Sequence, residues 1–192
     1  MIRIRPADAG ARCTKMIALV WTALASIVLP ARAEIPAAIA APDHILVATF
    51  HAEGAQVYEC AADATGKLAW QFREPIATLL ADGKTVGRHY SGPSWELTDG
   101  STLTGKVAAR ASGATPKDIP LLKLDVVSRR GAGFADITTI QRINTHGGFA
   151  DGACADTGAF LSVPYSADYV FFRKARWSLI PHTAPMLTTD RN

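Results

Sequence analysis

Cysteine is scarce in this chain, and no two of its three cysteines have the C-x-x-C spacing of a zinc site or a redox motif. The five histidines include no H-x-H or H-x-x-x-H pair, so a local metal-binding motif is missing as well. No G-x-S-x-G segment marks the nucleophile of an α/β-hydrolase. We therefore predict no cofactor and no metal site.

Clusters of basic residues are also missing from most of the chain. The first 33 residues hold five of the twenty lysines and arginines but only one of the seventeen acidic residues, which leaves fifteen against sixteen, a formal net charge of −1, for residues 34–192. Arg129-Arg130 and Arg173-Lys174 are the only adjacent basic pairs there. A nucleic-acid-binding domain usually carries a basic patch or stripe, so we expect no nucleic-acid partner.

The N-terminal segment, residues 1–33, has the pattern of a secretory signal peptide. Four basic residues precede an uncharged apolar run, Met16–Leu29, and Ala31-Arg32-Ala33 matches a small-x-small cleavage site. The alternative is an uncleaved anchor, but the fourteen apolar residues would reach roughly 21 Å as a helix, short of the ~30 Å hydrocarbon core. We expect cleavage near Ala33 and a periplasmic or secreted protein with no membrane span in the mature chain.

Two cysteines remain beyond this leader. Cys13 precedes the apolar run, whereas a lipoprotein attachment cysteine would have to follow it, so no lipid anchor is implied. Cys60 and Cys154 form an even pair, which in an oxidising compartment is most simply a disulfide. Closing a loop of about 95 residues would stabilise the fold by roughly 4 to 5 kcal/mol on the chain-entropy model. A metal-binding or catalytic role for these thiols is the alternative.

The rest of the chain is divided into three parts. Residues 34–43 form an extended Pro/Ala lead-in without a regular element, because two prolines oppose a regular helix there. Residues 44–174 form one β domain, and residues 175–192 form a C-terminal tail of uncertain structure.

Within the β domain, short β-branched and aromatic runs alternate with Gly, Asp and Asn turn signals. Asp82-Gly83 and Asp99-Gly100 suit tight hairpins. The predicted strands are His44–Phe50, Gln56–Ala61, Leu68–Phe72, Thr85–Tyr90, Ser94–Leu97, Thr102–Ala111, Leu121–Ser128, Asp136–Asn144 and Ala167–Lys174. The prediction is an all-β fold, a single antiparallel β-barrel-like or β-sandwich domain of about 8–10 short strands with little helix. We favour the barrel, although the pattern does not separate the two.

Two segments are ambiguous. Pro75–Leu80 is compatible with one helical turn. Phe134, Ile137, Ile140 and Ile143 recur every third residue, but isoleucine and threonine crowd the segment and glycines flank it, so we predict a strand with a bulge.

Four segments of the β domain resemble a known family. They are Ala55-Gln-Val-Tyr-Glu-Cys60 with the trailing Trp70, Gly87–Ser101, Gln141–Gly148 and Val163–Phe172. In their order and spacing, from about His44 to Lys174, they are similar to the exported bacterial and fungal family catalogued as domain of unknown function 3455. The resemblance implies an exported single domain with Cys60 and Cys154 at recurring motif positions, and it implies no particular reaction.

One chemical interpretation of these segments is an extracytoplasmic hydrolase. His89, Asp99 and Ser101 would supply a base, an orienting carboxylate and a hydroxyl nucleophile. However, Ser101 follows a turn dipeptide, where serine commonly hydrogen-bonds the backbone instead.

The interpretation that we favour is a binding module for an unknown small molecule or for an envelope or extracellular partner. The three segments His89–Ser101, Arg142–Gly148 and Tyr165–Tyr169 combine polar groups with glycine, proline or aromatic residues, and such breaks in regular alternation are expected at functional sites. We predict that His89, Trp95, Arg142 and Tyr165 surround a shared ligand cleft, with Asp99 or Asp168 neutralising Arg142. A buried structural ion pair of Arg142 with an aspartate is the alternative, and a purely structural or envelope-stress protein is a third class.

Overall fold

The computed structural model describes residues 34–175, and the predicted signal peptide and the predicted tail after Ala175 lie outside them. Within this range the prediction of an all-β fold is confirmed, because eight antiparallel strands form one sheet. The strands are β1 His44–Ala62, β2 Leu68–Ala81, β3 Lys84–Tyr90, β4 Ser94–Leu97, β5 Thr102–Ala111, β6 Leu121–Arg130, β7 Thr139–Gly147 and β8 Phe160–Lys174.

The sheet is a closed barrel. Each strand pairs with the next one along the chain, and β8 pairs with β1. The long strand β1 makes this closure possible, because it pairs with β8 from His44 to Glu59 and with β2 from His51 to Ala62. Of the two predicted architectures, barrel and sandwich, this chain thus adopts the barrel.

Of the two segments with an ambiguous sequence pattern, the first is part of a strand, and the second begins in a turn and continues into β7. Pro75–Leu80 lies inside β2 and forms no helical turn, and Pro75 is accommodated beside a register shift between Val57 and Tyr58 of β1. Phe134 and Ile137 precede β7, which begins at Thr139 and not at the predicted Asp136. The predicted irregularity is present within β7, between Ile143 and His146.

The lead-in contains an element where none was expected. Ala37–Ile39 forms one 3-10 turn, and the side chain of Ile39 is fully buried. The side-chain amide of Gln141 on β7 donates a hydrogen bond to the carbonyl of Ile39. The lead-in therefore packs against the barrel.

The two ends of the barrel differ. The β2–β3, β4–β5 and β6–β7 connections meet at one end, which we call the closed end, because Phe134 and Ile137 of the β6–β7 connection are buried there in the core. The ring centroid of Phe134 lies 5.4 Å from that of Phe171. The other four connections meet at the opposite end, which we call the open end.

No helix within residues 34–175 is long and apolar enough to cross a membrane.

Candidate functional site

The open end contains a cavity of about 420 Å³ that opens to solvent. Its walls are mostly aromatic and aliphatic side chains from β1, β2, β5, β6 and the β7–β8 connection: Tyr58, Trp70, Phe72, Val107, Leu122 and Phe149. Phe72 and Phe149 are 55% and 42% exposed, although both are large apolar side chains. Exposed apolar groups at the entrance of a concave site are typical of ligand-binding surfaces.

His89 lies in the cavity wall on β3 and is a buried, neutral base. Its Nδ1–H donates to the carbonyl oxygen of Ser94 at 2.8 Å, which leaves Nε2 as an acceptor in the neutral ring. The imidazole is stacked on Trp95, with the ring centroids 4.5 Å apart and the planes at 15°. Burial lowers the pKa of His89 to about 3, with Arg142 contributing in the same direction.

Arg142 lies in the same cavity wall on β7 and is 9% exposed. Its Nε and Nη2 both donate to the carbonyl oxygen of Pro120, at 3.0 and 2.8 Å. Within residues 34–175 no carboxylate oxygen lies within 4 Å of its guanidinium.

The predicted neutralisation of Arg142 by Asp99 or Asp168 is therefore wrong, and among the described residues so is the alternative of a buried Arg142–aspartate pair. Asp168 points away from the cavity on β8 and accepts hydrogen bonds from His51 Nδ1 at 2.8 Å and Asn144 Nδ2 at 2.7 Å. Asp99 lies in the β4–β5 connection at the closed end. Successive residues of a strand face opposite sides of the sheet, so Asp168 cannot share the inward face of Tyr169 and Ala167.

The loop that carries Pro120 is fixed by the neighbouring loop. Asp118 accepts a hydrogen bond from the Gly147 backbone N–H at 2.6 Å, and the Ile119 N–H donates to the Gly147 carbonyl at 2.9 Å. The hydrogen bond from Gly147 is the main cause of the lowered pKa of Asp118. These contacts hold the Pro120 carbonyl in place, and with it the guanidinium of Arg142.

Several buried polar atoms in the interior of the barrel have no hydrogen-bond partner in the described part of the chain. They are Gln56 Nε2, Trp95 Nε1, Tyr165 Oη and Tyr169 Oη. The two tyrosine hydroxyls are neighbours, with Gln56 beside Tyr165 and Arg142 beside Tyr169, close enough to affect the pKa values of both tyrosines. Their distances and angles are nevertheless not those of formed hydrogen bonds. Burial raises the pKa of both tyrosines, so both hydroxyls keep their protons. Unpaired buried polar groups are uncommon in proteins and each needs a physical explanation.

The four residues predicted to line a shared cleft occupy one region of the barrel interior, in two layers. His89 and Arg142 line the cavity, whereas Trp95 and Tyr165 are fully or almost fully buried and are not part of the cavity wall. Trp95 supports the ring of His89, and Tyr165 lies near Gln56 and Arg142. Their role in ligand binding stays a prediction.

The three residues predicted for a hydrolase are not assembled. Ser101 is buried at the closed end, where its Oγ accepts a hydrogen bond from the Gly133 N–H at 3.0 Å. Asp99 accepts a hydrogen bond from the Ser101 backbone N–H at 2.8 Å. His89 is bonded to Ser94 instead, near the open end. Asp99 and Ser101 thus shape the β4–β5 connection and its contact with the β6–β7 connection.

Sequence reasoning missed Gln56, Tyr58, Phe72 and Phe149 as cavity residues. Gln56 and Tyr58 belong to one of the segments that carry the family resemblance, and a buried glutamine in a strand is a signal for a polar site. Phe72 and Phe149 give no local signal, because only the closure of the barrel shows that these two phenylalanines face one entrance.

Among residues 34–175 no group of three or more His, Cys, Asp or Glu side chains is placed to bind a metal ion. Cys60 and Cys154 are joined as a disulfide with their Cα atoms 5.9 Å apart, so the predicted bridge is confirmed and the thiols are not available as ligands or nucleophiles.

Comparisons with known proteins agree with the resemblance seen in the sequence. No curated protein and no solved structure matches the chain. The model of one family, described as a protein of unknown function (DUF3455), matches residues 41–173, which span all eight strands apart from the last residue of β8. The chain therefore belongs to the DUF3455 family.

Proposed function

We propose that this protein is an extracytoplasmic, disulfide-bridged binding module that holds one small ligand in the open end of its barrel. The observation that carries the proposal is the cavity of about 420 Å³, in which apolar walls surround a few polar side chains. Ligand sites typically have volumes of roughly 300–1,000 Å³ and this mixture of surfaces. An eight-stranded barrel is just wide enough to be filled by side chains or to hold one small ligand.

The unpaired polar atoms support binding over a purely structural role. A barrel that only needed to be stable would gain from an apolar side chain at Gln56, whose Nε2 has no partner among the described residues, because an unpartnered buried polar group costs about 1–3 kcal/mol. A ligand with a matching polar group gives this side chain a partner.

A neutral fluorescent probe of apolar sites, N-phenyl-1-naphthylamine, tests the proposal. We expect saturable binding with one site per chain. Val107→Trp adds an indole to the cavity wall and should weaken probe binding at least tenfold, because the added ring occupies the space of the ligand.

Val127→Trp is the matched control, since Val127 is a strand residue of the same type but is 59% exposed on the outside of the barrel. It should leave probe affinity within about threefold of the unchanged protein. Absence of saturable probe binding, or equal effects of the two tryptophans, would contradict the proposal.

The extracytoplasmic location is part of the same proposal. It is supported by the leader pattern of residues 1–33 and by the disulfide, because disulfides persist mainly in oxidising compartments. We expect mass spectrometry of the protein recovered from its producing host to show a chain that starts at Glu34 or within a few residues of it. Recovery of intact Met1, or of a lipidated form, would overturn this part.

A further inference from the structure

We infer that the ligand is a small carboxylate with an apolar body, and that Arg142 and Gln56 bind its carboxylate group. This inference rests on the proposed binding function and gives that function a ligand class. Three features of the cavity support this ligand class: its free hydrogen-bond donors, the balance of charge around it and the apolar surface of its entrance.

The guanidinium of Arg142 has donors to spare. Of its five N–H groups, two are used by the carbonyl of Pro120, one from Nε and one from Nη2. Three remain, on Nη1 and Nη2, which is the pair of nitrogens that grips a carboxylate with two parallel hydrogen bonds. Because the Pro120 carbonyl fixes the plane of the guanidinium, this edge is oriented before a ligand arrives.

Arg142 is also the only buried cation in the described part of the chain, since the other buried basic residue, His89, is neutral. A buried charge without a counter-charge is strongly unfavourable. With no carboxylate of residues 34–175 within 4 Å of the guanidinium, an anion from outside is the group that would complete the site. Gln56 Nε2, buried and without a partner, supplies a further donor.

The charges at the entrance favour an anion in the same way. Arg73, Arg110 and Asp151 line the outer part of the cavity and are exposed. Arg73 is already paired with Glu59 at 3.1 Å and Glu74 at 3.5 Å. Arg110 has no carboxylate within 4 Å among the described residues. Because Glu59 and Glu74 neutralise Arg73, the unpaired charges at the cavity are those of Arg142 and Arg110 against Asp151. The remaining positive charge favours anions over cations.

The aromatic side chains at the entrance favour a ligand that is apolar beyond its carboxylate group. Tyr58 and Phe72 meet edge to face with their centroids 5.8 Å apart, and Phe149 lies at the same entrance. A carboxylate at Arg142 would leave the rest of the ligand against these rings. Burial of the apolar body against the two exposed phenylalanines would add to the stability of the complex.

Three ten-carbon probes separate the contributions of the head group and the chain: decanoate, decanol and decylamine. Isothermal titration calorimetry at neutral pH should show decanoate binding at least tenfold more tightly than decanol, with decylamine weakest. Equal affinities for decanoate and decanol would overturn the inference while the binding function stands. Failure of all three probes, together with failure of the naphthylamine probe, would remove both.

Arg142→Gln tests the assigned residue. It should lower the affinity for decanoate at least tenfold, to the level of decanol, and leave the affinity for decanol within about threefold. Arg130→Gln is the matched control, because it removes one exposed arginine at the closed end of the barrel, away from the cavity, and we expect the affinity for decanoate to stay within about threefold. Equal loss of decanoate and decanol binding by a folded Arg142→Gln protein would assign Arg142 a structural role and contradict the inference.

Gln56→Leu provides a second variant if Arg142→Gln does not fold. It removes the amide donor of Gln56 but keeps the positive charge of Arg142. The affinity for decanoate should therefore fall at least threefold, while the affinity for decanol is unchanged or improved. Unchanged decanoate binding in this variant would remove Gln56 from the site.

Discussion

At the scale of single residues, His89 has an unusual environment. It is 3% exposed, stacked on Trp95 and in contact with the tilted ring of Tyr169, and its one hydrogen bond within the described chain goes to a backbone carbonyl. Desolvation is the largest cause of its pKa of about 3, compared with the ordinary value of 6.5. The folded protein therefore keeps this imidazole neutral at pH values where an unfolded chain protonates it.

This difference makes stability depend on pH in a defined direction. Between about pH 6.5 and 3 the unfolded state binds a proton at His89 that the folded state does not, so the free energy of unfolding decreases as the pH falls. From pH 7 to pH 5 the contribution is about 2 kcal/mol, at roughly 1.4 kcal/mol per pH unit below 6.5. His89→Gln should lose this decrease, because glutamine does not titrate and still has an N–H for the Ser94 carbonyl.

Urea unfolding followed by circular dichroism at several pH values between 7 and 5 measures the effect. This window lies above the range in which the carboxylates of Asp63, Glu96, Asp99 and Asp118 titrate, since all four have lowered pKa values. His146→Gln is the control, because His146 is an exposed histidine on β7. The interpretation fails if His89→Gln retains the full pH dependence of the unchanged protein.

At the scale of the elements, the sequence predicted which segments are strands better than it predicted where they end. Asp82-Gly83 is the two-residue β2–β3 hairpin, with φ of 49° and 73°, as the dipeptide indicated. In contrast, β1 is one strand of 19 residues where two were predicted. Gly54 lies in the predicted gap between those two strands, but a Cβ atom there would clash with the carbonyl oxygen of Ile76, so this glycine permits close approach of β1 and β2.

The length of the strands follows from closure of the barrel, which no local pattern records. A strand with neighbours on both sides satisfies its backbone groups along its whole length, and β1 has β2 on one side and β8 on the other. The Pro75–Leu80 segment shows the same effect in β2, because pairing with β1 and β3 overrides its local helical tendency.

The sequence predicted only part of the candidate site, because closure of the barrel decides which residues meet at the open end. His89 and Arg142 were identifiable because polar side chains interrupt apolar strands near glycine and proline. The predicted pairing of Arg142 with an aspartate was wrong, because opposite charges on two strands pair only when both side chains lie on the same face of the sheet. For Phe72 and Phe149 only the three-dimensional structure reveals a shared position.

At the scale of the whole molecule, the interior of the barrel has two different halves. The closed half is filled by aromatic and aliphatic side chains, among them Phe134, Ile137 and Phe171. The open half contains the cavity, with the β7–β8 connection, residues 148–159, forming part of its rim through Phe149, Ala150 and Asp151.

This connection is attached to the barrel in two ways. The first is the disulfide from Cys154 to the buried Cys60 of β1, across a sequence separation of 94 residues. The second is a set of backbone hydrogen bonds: Cys60 N–H to the Ala159 carbonyl at 2.9 Å, Gly158 N–H to the Cys60 carbonyl at 2.8 Å, and Trp70 N–H to the Gly152 carbonyl at 3.1 Å. The native position of the rim therefore has support that does not depend on the covalent bond.

Removal of the disulfide by Cys60→Ser with Cys154→Ser should therefore lower stability much more than it changes binding. The free energy of unfolding in guanidinium chloride should fall by about 2–5 kcal/mol, because the bridge acts chiefly by restricting the unfolded chain. Affinity for the naphthylamine probe should stay within about threefold, since the backbone hydrogen bonds still hold residues 148–159.

Ala155→Ser, at an exposed position beside Cys154, is the control and should change stability by about 0.5 kcal/mol or less. A collapse of probe binding in a double variant that remains folded would mean that the disulfide itself maintains the shape of the cavity.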